Sequence, residues 1–248
     1  MHAASQGAAG VPQGKYRFLL FDADMTLLDF PADMEKAFHS MYAQHFQTQR
    51  PMSREILACY NACNDRAWRR FEQGLCKKEE LYIDRFVDFF KETGLYGDAR
   101  KVNETYFSGM AETGTLLPGA AELIKELYGR YELYIITNGN VVSQQPRLEH
   151  AGLAQYFKEV FVSEAVGVGK PHKEYFDYVM SHIPGFVKEQ ALVIGDSLAS
   201  DIQGAVNAGL DSIWYCPAFD EAAPGEAAPL YSYRAESYSE ILHILAHV

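Results

Sequence analysis

Four carboxylates and one ammonium group stand out by their placement. Asp22 and Asp24 lie two residues apart in Asp22-Ala23-Asp24-Met25-Thr26, directly after an apolar run. Asp196 stands in Gly195-Asp196-Ser197 after another such run, with Asp201 beyond it, and Lys170 lies in Gly169-Lys170-Pro171. Thr137 closes a third run, followed by Asn138-Gly139. Brought together, four ionised carboxylates and one ammonium would concentrate a charge of about −3, which like-charge repulsion opposes. A divalent cation resolves that, and an all-oxygen set selects a hard ion, Mg²⁺. A carboxylate beside such an ion can attack a phosphorus whose charge metal and lysine neutralise, giving an aspartyl-phosphate. The second carboxylate, two residues on, can protonate the leaving oxygen and then deprotonate the attacking water. Backbone N–H groups at turns and helix entrances supply a phosphate cradle.

The elements that must position these groups can be read from the apolar pattern. The run Tyr16-Arg-Phe-Leu-Leu-Phe21 ends at Asp22 and reads as a fully buried strand, with similar runs at 131–136, 159–162, 191–194 and 212–215. Helical patterns alternate with them at 120–128, 144–151, 173–182 and 199–208, and Ile241, Leu242, Leu245 and Val248 give a last helix its stripe. This alternation predicts an α/β fold, a doubly wound parallel sheet covered on both faces. Chemistry-bearing residues then collect at the strand C-terminal ends, where ligands of open α/β sheets bind. From about 30 to 110 no strand candidate appears. Four helical segments near 33–47, 54–73, 78–93 and 98–110 are separated by breaks at Pro51, Gly74 and Gly94. That length exceeds a βα crossover and predicts an α-helical cap domain over 30–110, inserted into a core of 15–29 and 111–248.

Composition narrows the setting. The 248 residues are 48% hydrophobic and 22% charged, which excludes wholesale disorder. A formal charge of −11 argues against a nucleic acid polymer or an anionic membrane as partner. No apolar run approaches the ~18–20 residues of a membrane span. Residues 1–14 have neither a basic nor a long apolar region, so they read as a disordered leader and the cytoplasm is the expected compartment. A second irregular stretch is expected at 222–229. Cys59, Cys63, Cys76 and Cys216 lack any CxxC pair or matching histidine spacing, so they give no zinc pattern. Cys59 and Cys63 read as two buried thiols on one helix face.

Taken in order, these motifs resemble those of the haloacid dehalogenase-like hydrolases, in the phosphatase branch with a helical cap. Asp22-Ala23-Asp24-Met25-Thr26 is similar to the first family motif, Thr137 to the second, Lys170 to the third, and Gly195-Asp196-Ser197 with Asp201 to the fourth. The likeness runs from Lys15 to the C-terminus. It implies a Rossmann-like core and a Mg²⁺-dependent phosphomonoester hydrolase. It also implies Asp22 as nucleophile and metal ligand, with Asp24 as general acid/base giving its backbone carbonyl to the metal. Thr137, Asn138 and Lys170 would hold the phosphoryl group, Asp196 would ligate the metal, and Asp201 would ligate or anchor it. Met25 departs from the glycine or polar residue common at that position and is expected to shape the cap hinge. Taken singly, several of these residues have plainer readings: Thr26 and Asn138-Gly139 as turn residues, Asp196-Ser197 as a helix cap, Asp201 as a first-turn carboxylate.

A finer likeness concerns the substrate. The runs ITNGNVVSQQPRLEHAGL and FVSEAVGVGKPHKEYFDY, with the cap segment from Tyr60 to Gly74, resemble pyrimidine 5′-nucleotidases acting on nucleoside monophosphates. Tyr60, Asn64, Trp68 and Phe71 share one helical stripe. Trp68 or Phe71 would stack on a base and Asn64 would bond its edge, or the stripe is the cap's own core. The alternatives in reaction class are a sugar-phosphate or phosphoglycolate phosphatase, a phosphomutase, and a non-catalytic phosphometabolite-binding protein. The expected partner is a small phosphorylated metabolite, and the acidic surface suits a monomer or a homodimer.

Overall fold

In the computed structural model, residues 14–217 and 230–248 are described; the expected leader, apart from Gly14, and the irregular stretch at 222–229 lie outside them. Six strands form one parallel sheet: β1 (Phe18–Phe21), β2 (Glu132–Thr137), β3 (Glu159–Val162), β4 (Ala191–Gly195), β5 (Asp211–Tyr215) and β6 (Tyr233–Ala235), in the order β3-β2-β1-β4-β5-β6. This is the classic doubly wound order, whose direction of winding reverses beside β1. All four residues of β1 and all five of β4 are buried, because helices cover both faces and leave no solvent side to impose alternation. The sequence runs at 191–194 and 212–215 therefore fall on β4 and β5. The three-residue β6 was not expected: Tyr-Arg-Ala on an edge carries no apolar run.

The helices are α1 (Phe30–His45), α2 (Arg54–Glu72), α3 (Lys78–Thr93), α4 (Ala99–Ala111), α5 (Ala120–Leu127), α6 (Val141–His150), α7 (Ser163–Val166), α8 (Lys173–His182), α9 (Gln203–Ala208) and α10 (Tyr238–His247). A single π-helical turn at Leu198–Ile202 precedes α9 and replaces the first turn of the helix expected from Ala199. Local chemistry sets several ends. Ser53 caps α2 by accepting from Ile56 N, and Asp98 caps α4 by accepting from Arg100 N and Lys101 N. Gly94, at φ 75°, ends α3 in the left-handed conformation.

By its contacts the chain divides into two units. The first takes residues up to Asp29, Leu116–Val141 and Ala151–Val248 and contains the sheet. On one face Phe18, Leu20, Tyr134, Ile136 and Val193 pack with Tyr175, Phe176 and Val179 of α8. The second unit takes Phe30–Thr115 and, in addition, Val142–His150. Its core is aromatic: Phe38, Phe46, Tyr60, Phe86, Phe89 and Tyr106 are all buried. Phe38 stacks on Tyr60 with ring centroids 4.3 Å apart. Inclusion of α6 in this unit differs from the sequence expectation. Its Arg147, 1% exposed, pairs through Nη2 with Asp33 Oδ2 of α1 at 3.0 Å. Asp33 is fully buried and also accepts from Thr115 N at 3.0 Å. A charged residue on α6 thus finds its counter-charge among the cap helices.

Candidate active site

The site belongs to the sheet unit, and strand register builds it. Phe21 of β1 lies opposite Ile135 of β2 and Ile194 of β4. The residues just past these positions, Asp22, Thr137 and Asp196, therefore emerge side by side at the strand C-terminal ends. Asp22 N donates to Ile194 O at 2.8 Å, which extends the ladder by one step and fixes the carboxylate's origin. The chain then folds back tightly, with Leu27 N and Leu28 N both donating to Ala23 O. Met25 sits in this turn at φ 63°, a left-handed conformation that costs a non-glycine residue energy.

Lys170 gathers the carboxylates. Its Nζ donates to Asp22 Oδ1 at 2.6 Å, to Asp201 Oδ1 at 2.6 Å and to Ile136 O at 2.9 Å, satisfying three N–H groups with three acceptors. The lysine is 5% exposed and its two carboxylate partners 6% and 0%. Thr26 Oγ1 lies 3.2 Å from Asp22 Oδ2 and 3.3 Å from Asp196 Oδ1, spanning the two carboxylates. The second oxygen of Asp201, Oδ2, accepts from Ser197 N at 3.0 Å. Asn138 locks the lysine's backbone in both directions, its Nδ2 donating to Lys170 O at 2.9 Å and its Oδ1 accepting from Lys170 N at 3.0 Å. A Cβ on Gly169 would meet that same Oδ1 at 2.4 Å, so only glycine allows this approach.

Electrostatics follow from burial. Loss of water pushes the Asp22 carboxyl up to about 7 against the opposing pull of Lys170, with Asp201 and Asp24 adding to the rise. Asp196 is pushed well up by burial and then by its carboxylate neighbours. Burial disfavours the Lys170 ammonium, but Asp201 and Asp22 outweigh it and hold the group above its ordinary value. The cluster therefore carries more carboxylate than its single lysine balances.

Carboxylate oxygens of Asp22, Asp196 and Asp201 all lie within 4.8 Å of one another. In an octahedron with ligand bonds of 2.0–2.1 Å, neighbouring oxygens lie about 3 Å and opposite ones about 4 Å apart, so small shifts would bring the three onto one Mg²⁺-sized ion. Asp201 has its two oxygens bonded to Lys170 Nζ and Ser197 N, and Asp22 has its two bonded to Lys170 Nζ and Thr26 Oγ1. Each would therefore meet an ion through a further lone pair, while Asp201 also ties the lysine to the loop after β4.

Sequence reasoning gave no part to several supporting side chains. Trp214 Nε1 donates to Asp196 O at 2.8 Å. Thr137 N donates to Tyr175 Oη at 3.1 Å, while that hydroxyl donates to Phe161 O at 2.7 Å. Glu164 accepts from Val141 N at 2.7 Å and from Asn140 Nδ2 at 3.1 Å, holding the loop after Thr137. A tryptophan or tyrosine near the end of a strand or helix is a weak signal, since most such rings are core.

The second unit holds the three expected substrate residues. Asn64 is 5% exposed and its Oδ1 accepts from Arg85 Nη1 at 3.0 Å. Arg85, itself 2% exposed, donates through Nη2 to Asn103 Oδ1 at 2.8 Å. The Oδ1 of Asn64 thus serves a buried guanidinium inside the helical unit. Trp68 and Phe71 are part-exposed and pack edge-to-face, centroids 5.8 Å apart, against the small cluster of Ala67, Leu81 and Tyr82.

The family profile described as haloacid dehalogenase-like hydrolase matches residues 19–215. YfnB of Bacillus subtilis, described as a HAD-hydrolase, is 40% identical over 93% of this chain and 96% of its own length. Its crystal structure bound to magnesium superposes with a TM-score of 0.85 at 38% identity, covering 94% of this chain and 99% of that one. The pyrimidine 5′-nucleotidase PynA of Streptococcus pneumoniae is 37% identical, with 93% and 95% of the two chains covered. The pyrimidine 5′-nucleotidase YjjG of Escherichia coli is 35% identical over 81% of this chain and 86% of its own.

Proposed function

The chain belongs to the haloacid dehalogenase-like hydrolases, and from that premise we propose that it is a Mg²⁺-dependent 5′-nucleotidase acting on pyrimidine nucleoside monophosphates. The observation that carries the chemistry is the Asp22–Lys170–Asp201 chain, which holds one carboxylate oxygen of Asp22 in a fixed direction beside Asp196. The substrate class rests on the two nucleotidase relatives.

Asp22, Asp196 and the anchoring Asp201 suit a magnesium ion, which when bound would neutralise charge on the carboxylates and on the substrate phosphate. The steps belong to the protein's own groups. An oxygen of Asp22 attacks phosphorus, forming an acyl–phosphate bond as the ester P–O bond breaks. Asp24 gives its proton to the departing nucleoside oxygen. Asp24, now ionised, takes a proton from water, whose oxygen attacks the phosphorus and releases inorganic phosphate and the free Asp22. Lys170 keeps Asp22 in line and would turn one N–H from a present acceptor to a phosphoryl oxygen, which the Thr137 hydroxyl and the main chain at Asn138 would help to hold. Trp68 and Phe71 are the proposed base-stacking residues of the cap.

Phosphate release from UMP, dUMP, dTMP, AMP, glucose 6-phosphate and phosphoglycolate, with Mg²⁺ and with EDTA, tests the reading. The expected result is metal-dependent release that prefers the pyrimidine nucleotides and falls about 10³-fold or more in Asp22→Asn. Unchanged turnover in that variant would remove the covalent mechanism. A preference for the sugar phosphate or phosphoglycolate would remove the nucleotidase assignment alone.

A further inference from the structure

We propose that the helical unit carries a second metal site, distinct from the carboxylate cluster, in which Cys59, Cys63 and Glu92 bind a thiophilic divalent cation of the zinc class. Cys59 and Cys63 stand one helical turn apart on α2, which directs both sulfurs to one side of the helix. The third group comes from the facing helix α3, where Glu92 lies near the C-terminal end. One ligand atom from each of the three residues falls within 4.8 Å of the other two. Spacing of the cysteines along the chain gives no zinc pattern because the third ligand is supplied across the helix pair.

The distances and composition suit that metal. Tetrahedral zinc, with bonds of ~2.3 Å to sulfur and 2.0–2.2 Å to carboxylate oxygen, places a sulfur and an oxygen ligand about 3.5–3.7 Å apart and two sulfurs about 3.8 Å apart. Cys59 Sγ lies 3.5 Å from Glu92 Oε2. Two sulfurs with one carboxylate favour a borderline-soft ion over Mg²⁺, which the all-oxygen cluster of the sheet unit suits instead. The two carboxylate oxygens are also divided between tasks. Oε2 faces the sulfur, while Oε1 accepts from Arg66 Nη2. The same Nη2 reaches the buried Cys63 Sγ at 3.1 Å, so one guanidinium touches both Cys63 and Glu92.

Such an outer partner orients a ligating carboxylate and completes the charge balance. Two thiolates and a carboxylate around a divalent cation sum to −1, and the Arg66 guanidinium brings the group to neutrality. As the two metal–sulfur bonds form, each thiol releases its proton to solvent, so no oxidant or reductant is required. Cys59 is part-exposed and Glu92 exposed, leaving the fourth position open to water. A disulfide between the same cysteines would give Glu92 and Arg66 no part.

The test is a Co²⁺ titration of the full-length protein, kept reduced and in excess Mg²⁺, read by thiolate-to-cobalt charge-transfer absorption. The oxygen-only cluster cannot produce that band, so the two sites are separated by the readout. The expected result is a band that saturates at one equivalent, is displaced by Zn²⁺, and persists in Cys76→Ser and Cys216→Ser. Cys59→Ser should abolish it, Glu92→Gln should weaken binding at least about tenfold, and Arg66→Gln by about tenfold. Zn²⁺ should also raise the melting temperature of the native chain and not that of Cys59→Ser. Because Cys59 is part-exposed, Cys59→Ser is expected to fold, and its circular dichroism and metal-free melting curve establish that. Absence of the band in the native chain, or an undiminished band in Cys59→Ser, overturns the proposal.

Discussion

A Cβ placed on Gly195 would stand 2.3 Å from Asp201 Oδ2 and 2.7 Å from Asp201 Cβ. The last residue of β4 therefore has no side chain because Asp201 packs directly over it. Through Asp201 Oδ1 that contact reaches Lys170 Nζ, and through Lys170 it reaches Asp22.

The first prediction follows from this chain of contacts. Gly195→Ala must push Asp201 aside, and Lys170 then loses one of its two carboxylates. Misplacement of about 1 Å in such a constellation costs about 10²-fold in rate. The expected outcome is a folded protein whose kcat for nucleotide hydrolysis falls by about that factor. Steady-state kinetics checks it, and native-like kcat would show that Asp201 positioning does not govern the lysine.

The second prediction concerns pH. Burial lifts the Asp22 carboxyl from its usual 3.8 to about 7 in the folded chain. Between those values the folded state binds more protons than the unfolded state, so this residue's contribution to stability falls as pH rises through the window. Asp22→Asn removes the titration. With EDTA present, the melting temperature of Asp22→Asn minus that of the native chain should therefore grow between pH 5 and pH 8. Mg²⁺ should raise the native melting temperature more at pH 8 than at pH 5, since a ligating carboxylate must be ionised. A pH-independent difference in EDTA would mean that Asp22 titrates normally in the folded chain.

How much of this was legible depends on whether a signal is local. β1 and β4 are four- and five-residue apolar runs buried on both faces, and the polar residues that end them mark the sheet's C-terminal edge. Hence Asp22, Thr137, Lys170 and Asp196 could be placed together from sequence. β6 escaped because an edge strand of three residues needs no apolar run. Arg147 and Arg85 escaped for another reason. On an amphipathic helix an arginine reads as surface, and only the fold brings Asp33, 114 positions away in the chain, to Arg147, or Asn103 to Arg85. Trp214 reaches Asp196 through an indole N–H that composition cannot distinguish from a core ring.

The Asp33–Arg147 pair supplies the third prediction. Arg147 donates to Asp33 Oδ2 from both Nε and Nη2, at 3.2 and 3.0 Å, and both residues are almost wholly buried. Replacing one partner of such a pair leaves an uncompensated charge in the interior, at a cost of about 3–5 kcal/mol. Asp33→Ala should therefore be strongly destabilised in urea or thermal unfolding. The double variant Asp33→Leu/Arg147→Met should recover most of the loss, because the cost lies in the orphaned charge. If Asp33→Ala unfolds like the native chain, water reaches Arg147 and the pair is not structurally required.

The last prediction separates the packing and substrate roles along α2, where one stripe was open to either reading. Asn64 and Trp68 are one turn apart, yet their surroundings differ. The Asn64 oxygen serves Arg85, a buried cation whose other partners are the Asn103 oxygen and the faces of Tyr82, Phe86, Tyr106 and Phe107. Among the described residues no carboxylate pairs with this guanidinium, so each neutral acceptor matters more. Removing one strands part of the guanidinium at about 1–3 kcal/mol. Asn64→Ala should accordingly lower the unfolding free energy by that amount while leaving KM for UMP within about twofold at a temperature where the protein is folded, since truncating a group that never meets substrate removes no binding energy. Trp68 is part-exposed and its ring can meet a ligand. Trp68→Ala should raise KM for UMP about tenfold, in line with a lost base stack of ~1–3 kcal/mol, and should change turnover of a small ester without a base far less. Measuring KM and unfolding free energy on both variants resolves the two roles. A large KM effect in Asn64→Ala would restore the amide to substrate recognition, and equal losses on UMP and the small ester in Trp68→Ala would return the tryptophan to the cap's own packing.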